Sequence, residues 1–283
     1  MTVLYLCFCA LIIGVVEGIT EWLPISSTGH MLLVDRLLGM EAGVSDAFYS
    51  FFMVAIQLGA ILAVVVLYFN KLNPFSKEKT ADERKQTWRL WGCIVIGMLP
   101  AAVLGIPLDD FLEANLSGNI VIAAALIVYG VAFIIIERRK KNALYRVESV
   151  NDITYKDALL IGCFQTLSLI PGTSRSGSTI LGGMLLGVSR TAAAEFSFFM
   201  GVPVMAGASL IRGLKFVKAG VGITGTELSL LLIGAAVAFI VSYFAIRFLM
   251  SFVRKHSFES FGWYRIGLGL IVILLAILTK NYF

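Results

Sequence analysis

Apolar residues run along this chain in long blocks rather than in alternation. Blocks near 48–69, 90–108, 119–136, 195–211, 227–250 and 262–279 are each about long enough to cross a bilayer. A backbone in hydrocarbon must satisfy its own hydrogen bonds, which leaves helices or a closed barrel. Blocks without period-two alternation predict helices. Two further apolar stretches are broken by polar residues. Residues 4–23 lead through EGITEWLPISSTGH into a short run at 25–38, and residues 158–170 lead through PGTSRSGST into a run at 176–190. Each looks too short or too broken to span, which predicts a re-entrant helical hairpin at both places.

The two broken stretches are copies of one another. At an offset of about 148 residues, Ala10 falls on Ala158, Gly14 on Gly162, Glu17 on Gln165, Ser26 on Ser174, Gly29 on Gly177 and Gly39 on Gly187. Polar and glycine matches at one offset are much rarer by chance than apolar ones, so the chain reads as a duplication. The expected halves are 1–147 and 148–283, each a hairpin followed by three spans within one integral membrane domain. An odd number of spans turns the second copy upside down. The expected fold class is therefore an all-α polytopic membrane protein built of inverted-topology repeats. Interrupted segments at matching positions of inverted halves point to a site near the bilayer midplane.

Composition supports the membrane reading: 58% of the 283 residues are hydrophobic and only 14% are charged, against about 25% charged in a soluble domain. The net charge of +5 does not imply nucleic-acid binding. The basic residues gather in two loops, 71–89 and 137–156, with six Lys/Arg each, while 109–119 has none and carries three acids. The positive-inside rule makes the basic side cytoplasmic, so the first hairpin is expected to open outside. Three basic residues at 212–220 mildly violate that pattern. Cys7, Cys9, Cys93 and Cys163 show no CxxC spacing and read as apolar fillers. No removable signal peptide is expected at the N-terminus.

The tips carry the chemistry. The first offers Glu17, Glu21, Ser26, Ser27, Thr28 and His30; the second offers Thr173, Ser174, Arg175, Ser176, Ser178 and Thr179. Glu17 and Glu21 are spaced to share one helix face. An unpaired carboxylate in a bilayer costs about 2.5–3.5 kcal/mol on insertion scales, so Arg175 or a divalent metal should face them. A guanidinium among hydroxyls at a helix start describes a phosphate site. Carboxylates, metal and phosphate together suggest hydrolysis, with a hydroxyl or His30 as nucleophile or proton carrier. Against this stand blander readings. Serines at a helix break are as often caps as ligands, and Glu21 with Arg175 would also make a structural ion pair. Gln57 reads as an interhelical hydrogen bond, Glu195 as an interfacial partner of nearby Arg190, and His256 as part of a cytoplasmic loop.

EGITEWLPISSTGH and PGTSRSGST closely resemble the two signature motifs of the bacitracin-resistance type of undecaprenyl-diphosphate phosphatases. The resemblance continues through AIQLGAILAVV, IGCFQTLSLIPGTSRSG and GVSRTAAAEFSF, nearly the whole chain. It implies a multi-pass enzyme of the bacterial inner membrane, facing outward. Such an enzyme removes the terminal phosphate of undecaprenyl diphosphate, recycling the carrier lipid of peptidoglycan synthesis and conferring bacitracin resistance. It further implies catalytic roles for Glu17, Glu21, Ser27, His30, Ser174, Arg175 and Thr179, and a divalent cation, Mg2+ or Ca2+. Residue by residue, the expectation is Glu21, Ser27, His30 and Arg175 in catalysis. Ser26, Thr28, Ser174, Arg175, Ser176 and Thr179 would bind phosphate, and Glu17 and Glu21 would hold the metal. Partners are the lipid and the membrane, with no nucleic acid and room for a homodimer. The other large class of lipid phosphatases needs a second histidine soon after its SR motif, whereas here none follows Arg175 until His256. Ser27, His30 and a metal-activated water all remain open as nucleophile. The rival class of function is a lipid-phosphate transporter or flippase, which shares the repeat architecture but needs no nucleophile.

Overall fold

The computed structural model describes residues 1–140, 144–220 and 222–279. It is a bundle of helices: α1 (Val3–Thr20), α2 (Ser27–Leu38), α3 (Asp46–Ala55), α4 (Gln57–Leu67), α5 (Phe69–Leu72), α6 (Ala81–Leu116), α7 (Asn119–Arg139), α8 (Tyr155–Thr166), α9 (Arg175–Leu185), α10 (Arg190–Lys218), α11 (Gly225–Lys255) and α12 (Glu259–Thr279). Among the described residues the one bridge of extended chain pairs Val147 with Val188. Capping explains several starts. Thr80, Thr154 and Thr224 each form a reciprocal box with Glu83, Asp157 and Glu227 three residues on, satisfying two orphan amides apiece. The 46–67 span is interrupted at Ile56, and Gln57 opens α4, its side chain making no hydrogen bond among the described residues.

Each of the six expected spans is a helix. A seventh helix, α1, is also long and apolar enough to cross. The sequence reading had taken this stretch as too broken, but Glu17 and Gly18 continue the helix. The break falls after Thr20, so α1 keeps 18 residues, about 27 Å at 1.5 Å per residue. The other departure is 109–119, expected as a loop: α6 runs on to Leu116, through Pro100 and Pro107. The side chains of Asp109, Asp110 and Glu113 lie outside the described residues, as do Lys141, Asn142 and Ala143 of the second basic loop.

The halves interlock. α1 of the first packs along α11 of the second, α8 of the second packs along α6 of the first, and α7 packs against α12. Between lipid-facing helices there is little hydrophobic driving force, so small residues that admit close backbones do the work. A Cβ on Gly14 would lie 2.7 Å from the Gly234 carbonyl oxygen, and one on its repeat mate Gly162 would lie 2.2 Å from that of Gly97. These two crossings bring both interrupted tips together in the interior.

Candidate active site

Each tip turns on a serine. Ser26 and Ser174 have φ of 73° and 72°, the only left-handed non-glycine residues among those described. That conformation costs about 1–3 kcal/mol unless the surroundings impose it. Here each serine caps the following helix, accepting the N–H of Gly29 at 3.3 Å or of Gly177 at 3.1 Å. The pair sits at the same place in the two copies. Both hydroxyls are thus already used as caps, the blander of the two readings for these serines.

Glu21 lies just past the end of α1 and is the hub of the site. Its Oε1 accepts from Arg175 Nη2 at 3.0 Å and Nε at 3.3 Å, while its Oε2 accepts from Ser27 Oγ at 3.0 Å. Arg175, the first residue of α9, also donates Nη1 to the Ser197 carbonyl at 2.7 Å and stands 5.7 Å from the Trp22 ring. A planar fork suits this role because it can exchange one two-oxygen partner for another, carboxylate for phosphate.

Of the remaining hydroxyls one ties the tips together and the others bind within the second tip and to α10. Ser176 Oγ donates to the Glu21 carbonyl at 3.1 Å. Thr179 Oγ1 lies 2.7 Å from Ser197 Oγ and 2.9 Å from the Arg175 carbonyl, and Ser178 Oγ donates to that same carbonyl at 3.0 Å. Ser176, Ser178 and Thr179 are buried in these contacts, whereas Thr28 is exposed and has no hydrogen bond among the described residues. His30 is not bonded to Ser27. Its Nδ1 lies 2.7 Å from the Ser26 carbonyl and its Nε2 lies 2.7 Å from Tyr264 Oη.

One buried charge at the junction is absent from the residues the sequence motifs single out. Arg265 of α12 is fully buried, and it donates to the carbonyls of Gly172 and Thr173 at 2.9 Å and of Pro24 at 3.2 Å, with the Tyr129 ring 5.4 Å away. It clamps both tips by their backbones, with no carboxylate ion pair among the described residues. A lone arginine in the apolar run GWYRIGLGL was the available signal, since a charge inside a membrane segment marks a functional position by default. A second reading needs correcting: Arg190 pairs with Glu137, not with Glu195, which binds Lys71 at 2.7 Å. Nearness in sequence suggests the neighbour, but Arg190 opens α10 and reaches across to the end of α7.

Glu17 is 1% exposed and its Oε1 has no hydrogen-bond partner; its repeat mate Gln165 is equally buried with both amide atoms unpartnered. Among the described residues no three His, Cys, Asp or Glu side chains converge as a metal cage. Magnesium, however, is commonly held by one or two carboxylates plus substrate phosphate oxygens and water. Glu17 with Glu21 is a donor set of that kind. A cleft of about 980 Å³ runs along the second half of α10 past Phe51, Leu210 and Leu214 and includes none of the tip residues.

Comparison with known proteins gives a family match and close relatives. The family described as "Bacitracin resistance protein BacA" matches residues 10–271. An undecaprenyl-diphosphatase of Enterococcus faecalis (strain ATCC 700802 / V583) is 53% identical over 264 residues, covering 93% of this chain and 95% of that one. One of Lactobacillus delbrueckii subsp. bulgaricus is 51% identical over 267 residues, covering 94% and 96%. One of Streptococcus mutans serotype c is 53% identical over 264 residues, covering 93% and 94%.

Proposed function

The chain belongs to the family of the bacitracin resistance protein BacA, and from that premise we propose that it is an undecaprenyl-diphosphatase whose reaction centre is the junction of the two tips. It is a multi-pass membrane hydrolase that converts undecaprenyl diphosphate to undecaprenyl phosphate and inorganic phosphate, an activity that confers bacitracin resistance. The observation that carries the site assignment is Ser27 donating to Glu21 Oε2 at 3.0 Å while Arg175 grips the other oxygen. A hydroxyl, a base and a phosphate fork thus meet on one carboxylate.

The reaction follows from that arrangement. The terminal phosphate enters beside Arg175, which turns its fork from Glu21 to two phosphate oxygens. Glu21, relieved of its counter-charge, takes the Ser27 proton. Ser27 Oγ bonds to the terminal phosphorus as the bond to the bridging oxygen breaks, and undecaprenyl phosphate leaves with the electron pair. Arg175 stabilises the charge spread over the transferring group. Glu17 and Glu21 would hold a divalent cation, Mg2+ or Ca2+, which would neutralise diphosphate charge that the carboxylates otherwise repel. Water then releases phosphate from the serine.

A transporter or flippase accounts for the crossed repeats but has no use for a hydroxyl hydrogen-bonded to a base, so hydrolysis is the better reading. The basic loops support an inner-membrane orientation with the repeats inverted and the first tip reached from outside. Every group named belongs to one chain, so a homodimer is not needed to complete the site. Purified protein in detergent should release phosphate from undecaprenyl diphosphate. Ser27→Ala should abolish turnover and still bind the lipid, because Arg175 and the second tip remain. Near-normal turnover by that variant would remove serine from the mechanism.

A further inference from the structure

His30 is hydrogen-bonded to groups other than the seryl hydroxyl. A backbone carbonyl can only accept, so the 2.7 Å contact to the Ser26 carbonyl places the proton on Nδ1. In the neutral ring Nε2 is then an acceptor, and it receives the Tyr264 hydroxyl at 2.7 Å. The two rings are inclined by only 6°, with centroids 5.6 Å apart, and the phenol is half exposed. The Ser27 proton meanwhile is committed to Glu21. The site therefore holds two proton acceptors that do not compete, one on the serine and one against Tyr264.

We propose that Tyr264 is the positioning residue for the second half of the reaction: it holds His30 as the Nδ1–H tautomer, with Nε2 kept as the proton acceptor for the water that releases phosphate from Ser27. This rests on the seryl reading of the site. In the first step the Ser27 proton passes to Glu21, as above. In the second, the oxygen of water bonds to phosphorus and its proton passes to His30 Nε2. The bond from phosphorus to Ser27 Oγ breaks, its electron pair stays on Oγ, and Oγ takes back the proton that Glu21 holds. The Tyr264 hydroxyl turns from Nε2 to the water for this step. It returns once the imidazolium has lost its extra proton to solvent. Arg265, next along α12, fixes the segment that carries Tyr264 by binding both tips.

The test uses the full chain in nanodiscs. The protein has two histidines, so His256→Gln leaves His30 as the sole signal in protein labelled with nitrogen-15 histidine. That spectrum should show a protonated Nδ1 and an accepting Nε2. Adding Tyr264→Phe, which keeps the ring and removes the hydroxyl, should give a substantial Nε2-protonated population. An unchanged tautomer overturns the proposal. In rapid-quench kinetics Tyr264→Phe should leave first-turnover phosphorylation of Ser27 within about twofold of wild type. Steady-state release should fall by at least the ~10²-fold low end typical of losing an acid–base group, so phosphoserine accumulates. A parallel fall of both rates places His30 on the serine and overturns the proposal. If wild type itself forms no phosphoserine, the seryl reading fails, and the tautomer spectrum alone decides the role of Tyr264.

Discussion

Gly201 of α10 makes room for the Arg175 guanidinium, and adding one methyl group there should separate activity from stability. A Cβ at position 201 would lie 2.7 Å from Arg175 Nη1 and 2.8 Å from Cζ and Nη2, too close for any of them to stay. The guanidinium is the far end of a flexible side chain, so it can move without disturbing the helices. Moving it breaks the 2.7 Å bond to the Ser197 carbonyl and the fork on Glu21. Each hydrogen bond to a charged group is worth about 1.5–3 kcal/mol. Losing one such bond in the transition state corresponds to roughly 10–150-fold in rate, at about 1.4 kcal/mol per factor of ten. Alanine's better helix propensity, about 0.8–1 kcal/mol over glycine, offsets only part of those bonds in the resting protein. Gly201→Ala is therefore expected to purify with a modestly earlier transition in SDS, while its rate of phosphate release falls by one to two orders of magnitude. A variant with near-normal turnover, or one that fails to fold, would refute the reasoning that Gly201 exists for Arg175.

Arg175→Lys keeps the charge but loses the planar fork; it should insert normally and lose most phosphate release, and a near-normal rate would make Arg175 a simple counter-charge. Glu137 is 3% exposed and also accepts the Phe258 N–H at 2.8 Å; Glu137→Ala should cost about 3–5 kcal/mol by leaving Arg190 uncompensated, read as an earlier transition in SDS titration. With the native cysteines replaced, a cysteine at Ser76 should resist an impermeant thiol reagent in intact cells while one at Asn115 should label; equal labelling of both would defeat the inverted topology.

Much of this was legible in the chain because membrane chemistry writes plainly. The six expected spans rest on apolar length alone, and a charge or a Ser-Pro-Gly break within such a run has few bland explanations. The matched serines at 26 and 174 exposed the duplication, and the structure gives that match a physical cause in their shared left-handed cap. What was not legible depends on contacts between distant segments. Arg265 lies 93 positions from Gly172 and 241 from Pro24 in sequence, and nothing local to GWYRIGLGL names those carbonyls. His30 was expected to serve Ser27 because the two are close in sequence, but its imidazole is tied to the Ser26 carbonyl and to Tyr264 of α12 instead. α1 reads as too broken to span because Pro, Ser and Gly interrupt its stretch, yet those residues fall after Thr20, where the helix has already ended.

The most direct test of the account is to follow the terminal phosphate itself. Substrate labelled in that group, mixed with wild-type protein and quenched within one turnover, should leave acid-stable label that maps by mass spectrometry to Ser27. The label should be absent from Ser27→Ala and strongly reduced in Glu21→Gln, which cannot take the serine proton. Acid-labile label on His30, or no protein-bound label at any time during a single turnover, would contradict the claim that the Ser27–Glu21–Arg175 junction transfers phosphate through serine.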